Sequence, residues 1–120
     1  MEVKMIYKNC IDASLDCVKA CDRFAYEGCK TSAECMPGQD AAVACADVCN
    51  LVGRETAKGL GCAELFEVCA NYCDETAKKC EKIDHKYAKD CATSAKKCDE
   101  TCRECKKDCE NKEKEKRDWR

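Results

Sequence analysis

Cysteine recurs at helical spacing along nearly the whole chain, and no other feature constrains the fold as much. Cys10, Cys17 and Cys21 are separated by seven and four residues, and Cys62, Cys69, Cys73 and Cys80 by seven, four and seven. Cys91, Cys98, Cys102, Cys105 and Cys109 follow at seven, four, three and four, and Cys45 and Cys49 lie four apart. At about 100° per residue each set collapses onto one narrow stripe of an α-helix, whereas a strand would need a period of two. Leu, Ile, Val and Phe number only 15 of 120 residues, a fraction that ordinarily signals disorder. The 16 cysteines reverse that reading, because a free thiol behaves as a small buried hydrophobe. The expected core is therefore made largely of sulfur.

The breaks between stripes divide the chain into four helices, expected at about 3–30, 39–55, 60–82 and 85–112. Cys35-Met36-Pro37-Gly38 reads as a turn, Gly53, Gly59 and Gly61 bracket the second connection, and Asp84 is a candidate cap for the last helix. Long helices joined by short loops predict an all-α, antiparallel up-down-up-down four-helix bundle with a cysteine-lined core. It occupies 1–112 as a single domain, and 113–120 forms a charged C-terminal tail. The repeated seven-four pattern is consistent with a duplicated helical hairpin. The last helix is nearly all Lys, Asp, Glu, Arg, Thr, Ala and Cys, so its attachment to the domain must run through sulfur. The first carries a second apolar patch, Ile11, Leu15 and Val18, suited either to a neighbouring helix or to another subunit.

A formal net charge of −2 gives no general electrostatic reason to bind nucleic acid or an anionic membrane. No apolar run approaches the roughly 20 residues of a transmembrane helix. Met1-Glu2-Val3-Lys4-Met5 lacks the basic start and apolar core of a secretory signal, so the expected location is the cytoplasm. Thiols stay reduced there, and dense cysteine points to metal more than to disulfides. One histidine, with no Cys-His, Ser-His-Asp or phosphate-loop context, argues against an enzyme.

Cysteines four apart on a helix place their Cβ atoms about 5–6 Å apart, too far for a disulfide, which wants about 3.5–4.5 Å. A disulfide-stabilised interaction or chaperone module would thus need every bridge to cross between helices. Structural zinc favours paired C-x-x-C knuckles on turns, and only Cys102–Cys105 has that spacing, inside a helix. A general thiolate sink for Zn or Cd stays open as an alternative. Cu(I) suits the pattern best, being soft, content with two or three sulfurs, and able to share bridging thiolates. One Cu(I) per thiolate leaves the core formally neutral, which divalent metal at that ratio would not. The expected cargo is multiple Cu(I) ions, on the order of one per cysteine.

The C-x-x-x-C pairs Cys17–Cys21, Cys45–Cys49, Cys69–Cys73 and Cys98–Cys102, set on four striped helices, resemble the bacterial copper storage proteins. The resemblance covers almost the whole chain and implies Cu(I) held inside the bundle, a homotetramer, and the cytosolic branch of the family. It also leaves room for a copper chaperone as donor or acceptor. Cys29 and Cys35 sit off the regular stripe and are candidate mouth or loop ligands. Up-down-up-down topology brings the first and third loops to one end, with Met36, His85 and nearby Cys29, Cys35 and Cys80. Thioether and imidazole bind Cu(I) more weakly than thiolate, and in the resembling family such residues near an open end suit capture and hand-over. Met36 and His85 are therefore candidate mouth ligands.

Overall fold

A computed structural model describes residues 4–118, and the backbone is helical over most of that span. Helix α1 (Met5–Asp22) continues through a π-helical turn, Arg23–Gly28, into a last α turn at Cys29–Thr31. A short 3-10 turn, Ala33–Cys35, leads into α2 (Met36–Ala57); α3 (Ala63–Glu81) and α4 (Lys86–Asp118) follow. Helix α1 packs on α2 and α4, and α3 packs on the same two, so consecutive helices are neighbours in a closed ring of four. That is the expected all-α bundle, with extents of 57 × 23 × 17 Å.

Helix α2 begins at Met36, earlier than expected, because Pro37 falls in its first turn, where a missing N–H costs nothing. It ends on Gly59 at φ 79°, with Leu60 N–H donating to the Glu55 carbonyl at 2.8 Å and Gly59 N–H to that of Thr56 at 3.0 Å. These paired bonds close the helix end, and only glycine takes the left-handed position without strain. Nothing lies within 4 Å of a Cβ built there, so the cost of a side chain is purely conformational. Gly59→Ala is expected to lower stability by about 1 kcal/mol, read by chemical denaturation, with metal content unchanged.

At the start of α4 the side chain that caps is that of His85 rather than Asp84: its Nδ1 accepts the Tyr87 N–H at 3.1 Å. Helix α4 then runs to Asp118, beyond the 112 expected, and its exposed charged turns extend past the other helices. Trp119 lies outside the described residues.

The core is a column of thiols with small residues between them. Ala13 and Ser14 on α1, Ala42 and Ala46 on α2, Ala70 and Ala77 on α3, and Ala88, Ala92 and Ala95 on α4 are all buried. Their small side chains let the helices approach closely enough for sulfur to meet sulfur. On α4 the buried face is cysteine and alanine with Thr101, so nothing larger than a thiol or hydroxyl anchors it inside the bundle. Outside, Lys106 pairs with Glu67 at 3.3 Å, Lys96 with Glu81, and Lys4 with Asp108 at 2.9 Å. Leu15 points outward at 44% exposure, while Val18 packs against the core, so the second patch on α1 is divided between interior and surface.

Candidate metal centre

Helical spacing aims each stripe at the bundle axis, and the four stripes converge there. Cys17, Cys49, Cys73 and Cys98, one from each helix and all buried, have their sulfurs within 4.8 Å of one another. Cys17, Cys21 and Cys45 form a second such group on one side, and Cys69, Cys98 and Cys102 a third on the other. The groups are joined by sulfur contacts: Cys45 to Cys73 at 3.7 Å, Cys49 to Cys73 at 3.7 Å, Cys49 to Cys69 at 3.8 Å and Cys49 to Cys98 at 3.8 Å. Towards the first loop, Cys21 touches Cys91 at 3.4 Å. Towards the termini, Cys102 touches Cys10 at 3.8 Å, and the nearby Cys105 thiol donates to the Ile6 carbonyl at 3.4 Å.

All sixteen cysteines are free thiols. Their contacts of 3.4–4.0 Å are non-bonded separations, far beyond the roughly 2.05 Å of a disulfide. Ser14 alone interrupts the ladder with oxygen, its Oγ lying 3.6 Å from the Cys98 sulfur and 3.9 Å from that of Cys10.

Sulfurs this close cannot ionise independently. Hydrogen bonds from Cys102 and Cys105 draw the Cys10 thiol down to about 4, and those from Cys21 and Cys80 draw Cys91 down to about 5. Their donors move the opposite way: hydrogen bonding to Cys10 first, then to Cys69 and Cys98, pushes Cys102 up, and Cys21 rises through its bonds to Cys17, Cys45 and Cys91. Within each contact, then, one sulfur is drawn down as its neighbour is pushed up. Burial and thiolate repulsion keep most of the metal-free core protonated, so filling it with metal must expel protons.

Three sequence candidates lie elsewhere than the spacing alone would put them. Cys62 is exposed, because α3 starts at Ala63 and Cys62 precedes it with extended backbone, φ −137° and ψ 161°. The stripe position at that end of α3 is filled by buried Phe66, whose ring faces Tyr7 at 6.1 Å. Cys35, read as a loop residue, is fully buried, and partly buried Cys29 hydrogen-bonds with it. Burial pushes the Cys29 thiol up.

The first and third loops do share one end. His85 is partly buried, with its Cε1 3.4 Å from where a Cβ on Gly28 would stand, and Met36 is 55% exposed. Between them Phe24 and Ile83, both buried, press on Gly38, where an added Cβ would meet each ring or methyl at 3.1 Å. The missed feature is at the opposite end. There the Tyr7 hydroxyl donates to Asp108 Oδ2 at 2.6 Å and lies 3.5 Å from the Cys109 sulfur. That bond and the Lys4 ammonium hold the Asp108 carboxyl well below the usual carboxylate range. Only the lone aromatic near the N-terminus hinted at this contact, and its partner is about a hundred residues away in sequence.

The candidate metal-holding groups among the described residues are made of cysteine alone, a donor set that suits a soft metal. No helix among the described residues is long and apolar enough to cross a membrane. A comparison with curated proteins gave no match. Among solved structures, the chain is similar to "Cu(I)-bound Copper Storage Protein BsCsp3", at 27% identity and a TM-score of 0.76, over 83% of this chain and 97% of that one. The profile described as "Copper storage protein" matches residues 3–114. With a thiol column of this geometry and a match over nearly its full length, the chain belongs to the copper storage protein family.

Proposed function

We propose that this protein buffers copper by holding many Cu(I) ions on the thiolates of all sixteen cysteines, storing the metal without catalysing a reaction on it. The observation that carries this is the run of sulfur contacts across four helices, centred on Cys17, Cys49, Cys73 and Cys98. Each thiolate there has neighbours on either side and can bridge two metals. Met36 and His85 complete the donor set as weaker ligands of the loop end. A donor or acceptor protein exchanges copper with the store, and a reducing cytoplasm keeps the thiols available. The tetramer implied by family resemblance would rest on outward Leu15, Val68 and Tyr72.

The test is an anaerobic Cu(I) titration against a competing chelator, with free thiols counted beforehand. Saturation on the order of sixteen equivalents is expected, with about one proton released per ion. Because the displaced protons come from thiols, affinity must fall as pH falls. Saturation at one or two equivalents sinks the reading, and tighter filling by Zn(II) or Cd(II) would transfer it to a general soft-metal sink.

A further inference from the structure

The thiol column changes character along its length. From Cys49 towards the first loop all four helices supply sulfur, but towards the termini two of the walls lose it. There α2 buries Val52 and Thr56 and α3 buries Phe66, while sulfur continues on α1 and α4 as Cys10, Cys102, Cys105 and Cys109. The change falls at Ser14. It stands between Cys10 and Cys17 in a four-three-four spacing that Cys98, Cys102, Cys105 and Cys109 fill with sulfur throughout. Its fully buried Oγ lies 3.6 Å from the Cys98 sulfur and 3.9 Å from that of Cys10, where a thiol would have joined the two. Gly53 of α2 lies opposite, close enough that an added Cβ would meet that of Ser14 at 3.4 Å.

Two observations set this terminal arm apart. One is how many sulfurs can reach a single ion. Among the described residues, no group of three or four sulfurs within 4.8 Å of one another includes Cys10, Cys105 or Cys109. Cys10 instead meets Cys102 alone across the α1–α4 contact, at 3.8 Å. The other observation is oxygen. The Cys105 thiol donates to the Ile6 carbonyl at 3.4 Å. The Tyr7 hydroxyl gives its proton to Asp108 at 2.6 Å, so its 3.5 Å contact with Cys109 is made by the thiol proton donating to the Tyr7 oxygen. Both bonds last only while these sulfurs keep their protons, and a metal bound there must break them.

We propose that Cys10, Cys105 and Cys109 form a labile arm of the copper store, whose Cu(I) ions leave first, while the four-walled section beyond Ser14 retains its own. The proposal rests on the storage reading above. In the four-walled section three sulfurs can close on one ion and each thiolate can be shared, so a departing ion must break several bonds. In the arm fewer sulfurs hold each ion, and departure restores the bonds to Ile6 and Tyr7. Both differences act on the rate of leaving. The step is ligand exchange without redox change. Each Cu–S bond to the arm is replaced by a bond from the acceptor, each freed thiolate takes one proton from solvent, and copper stays Cu(I). Cys109 is half-buried and lines an open cavity at this end, so a small acceptor meets the arm there. At the other end Phe24 and Ile83 fill the space about Gly38.

The experiment is anaerobic removal of copper from the fully loaded full chain by excess bathocuproine disulfonate, followed by the colour of its Cu(I) complex. Two phases are expected, with about three equivalents leaving about 10-fold faster than the rest. Cys10→Ser/Cys105→Ser/Cys109→Ser is expected to abolish the fast phase and leave the slow rate unchanged. Ser14→Cys is expected to join the arm to the section beyond it, raising total capacity by about one equivalent and moving at least about one from the fast phase to the slow. This second variant keeps every native thiol, so it decides the matter even if the triple variant folds poorly. A single phase in the wild-type chain overturns the arm. So does a fast phase that survives the triple variant, or one that Ser14→Cys leaves intact, or one lost in Cys29→Ser/Cys35→Ser. If the wild-type chain loads only one or two equivalents before removal begins, the storage reading itself has failed.

Discussion

Filling the protein with Cu(I) will raise its melting temperature by tens of degrees. Among the described residues, the core contains Phe24, Phe66, Val52 and Ile83 as its only large buried apolar side chains; the rest is cysteine, alanine and a few hydroxyls. A thiol contributes less burial than a Leu or Ile, so the empty bundle sits in the marginal range of roughly 5–15 kcal/mol that domains occupy. A ligand that binds only the folded state adds about 4 kcal/mol per site at a thousand-fold excess over its dissociation constant. Four independent sites would then add about 16 kcal/mol, more than the whole stability of an ordinary domain. With an unfolding entropy of about 2.1 cal/mol/K per residue over 120 residues, a linear conversion gives a shift of about 60 °C. Binding of Cu(I) to cysteines of the unfolded chain reduces this, so a rise of about 30 °C is the working expectation. Anaerobic circular dichroism melts of the two forms check it. Coincident melts would mean that the thiol column and the folding core are not the same atoms.

Replacing the central quartet by serine will remove more of the copper capacity than replacing four peripheral cysteines, which will remove about a quarter at most. Cys49 shows why: its sulfur lies 3.7–3.9 Å from those of Cys45, Cys69, Cys73 and Cys98. A thiolate that bridges two metals takes both with it when lost, and Cys17, Cys49, Cys73 and Cys98 are all placed to bridge. Cys62 is exposed, and Cys29 and Cys109 are only partly buried, so with Cys35 they form the peripheral comparison. Serine is the fitting substitute because Ser14 already sits between Cys10 and Cys98, at 3.9 and 3.6 Å, fully buried. Should the quadruple variant fold poorly without metal, Cys49→Ser alone is expected to lose about two equivalents and Cys62→Ser at most one. Titrated capacity of the folded fraction reads both. Equal losses from centre and periphery would show that thiols bind one by one rather than as a shared network.

Much of this was legible without coordinates, and the residues say why. The seven-four spacing of Cys91, Cys98 and Cys102 defines a helix and its inward face together, because azimuth on a helix follows from residue number alone. Pro37 sits inside the first turn of α2 and not in the turn before it, since a proline in a first helical turn and one in a loop look alike in sequence. Cys62 misled for a related reason. It keeps the period of Cys69, Cys73 and Cys80, yet α3 begins one residue after it, and period says nothing about where the backbone leaves the helix. The Tyr7–Asp108 bond joins residues about a hundred positions apart, and periodicity does not reach across that separation.

By itself, then, the sequence determined four helices, the stripe each one turns inward, and the softness of the donors those stripes carry. Only the tertiary structure decided that Cys17, Cys49, Cys73 and Cys98 meet at one level, that Phe24 and Ile83 fill the loop end, and that thiols and lysines gather at the other. The reason is geometric. Periodicity sets the angle of a side chain about its own helix, but the axial offset between helices comes from how loops, small residues and end contacts pack, and which sulfurs touch depends on that offset.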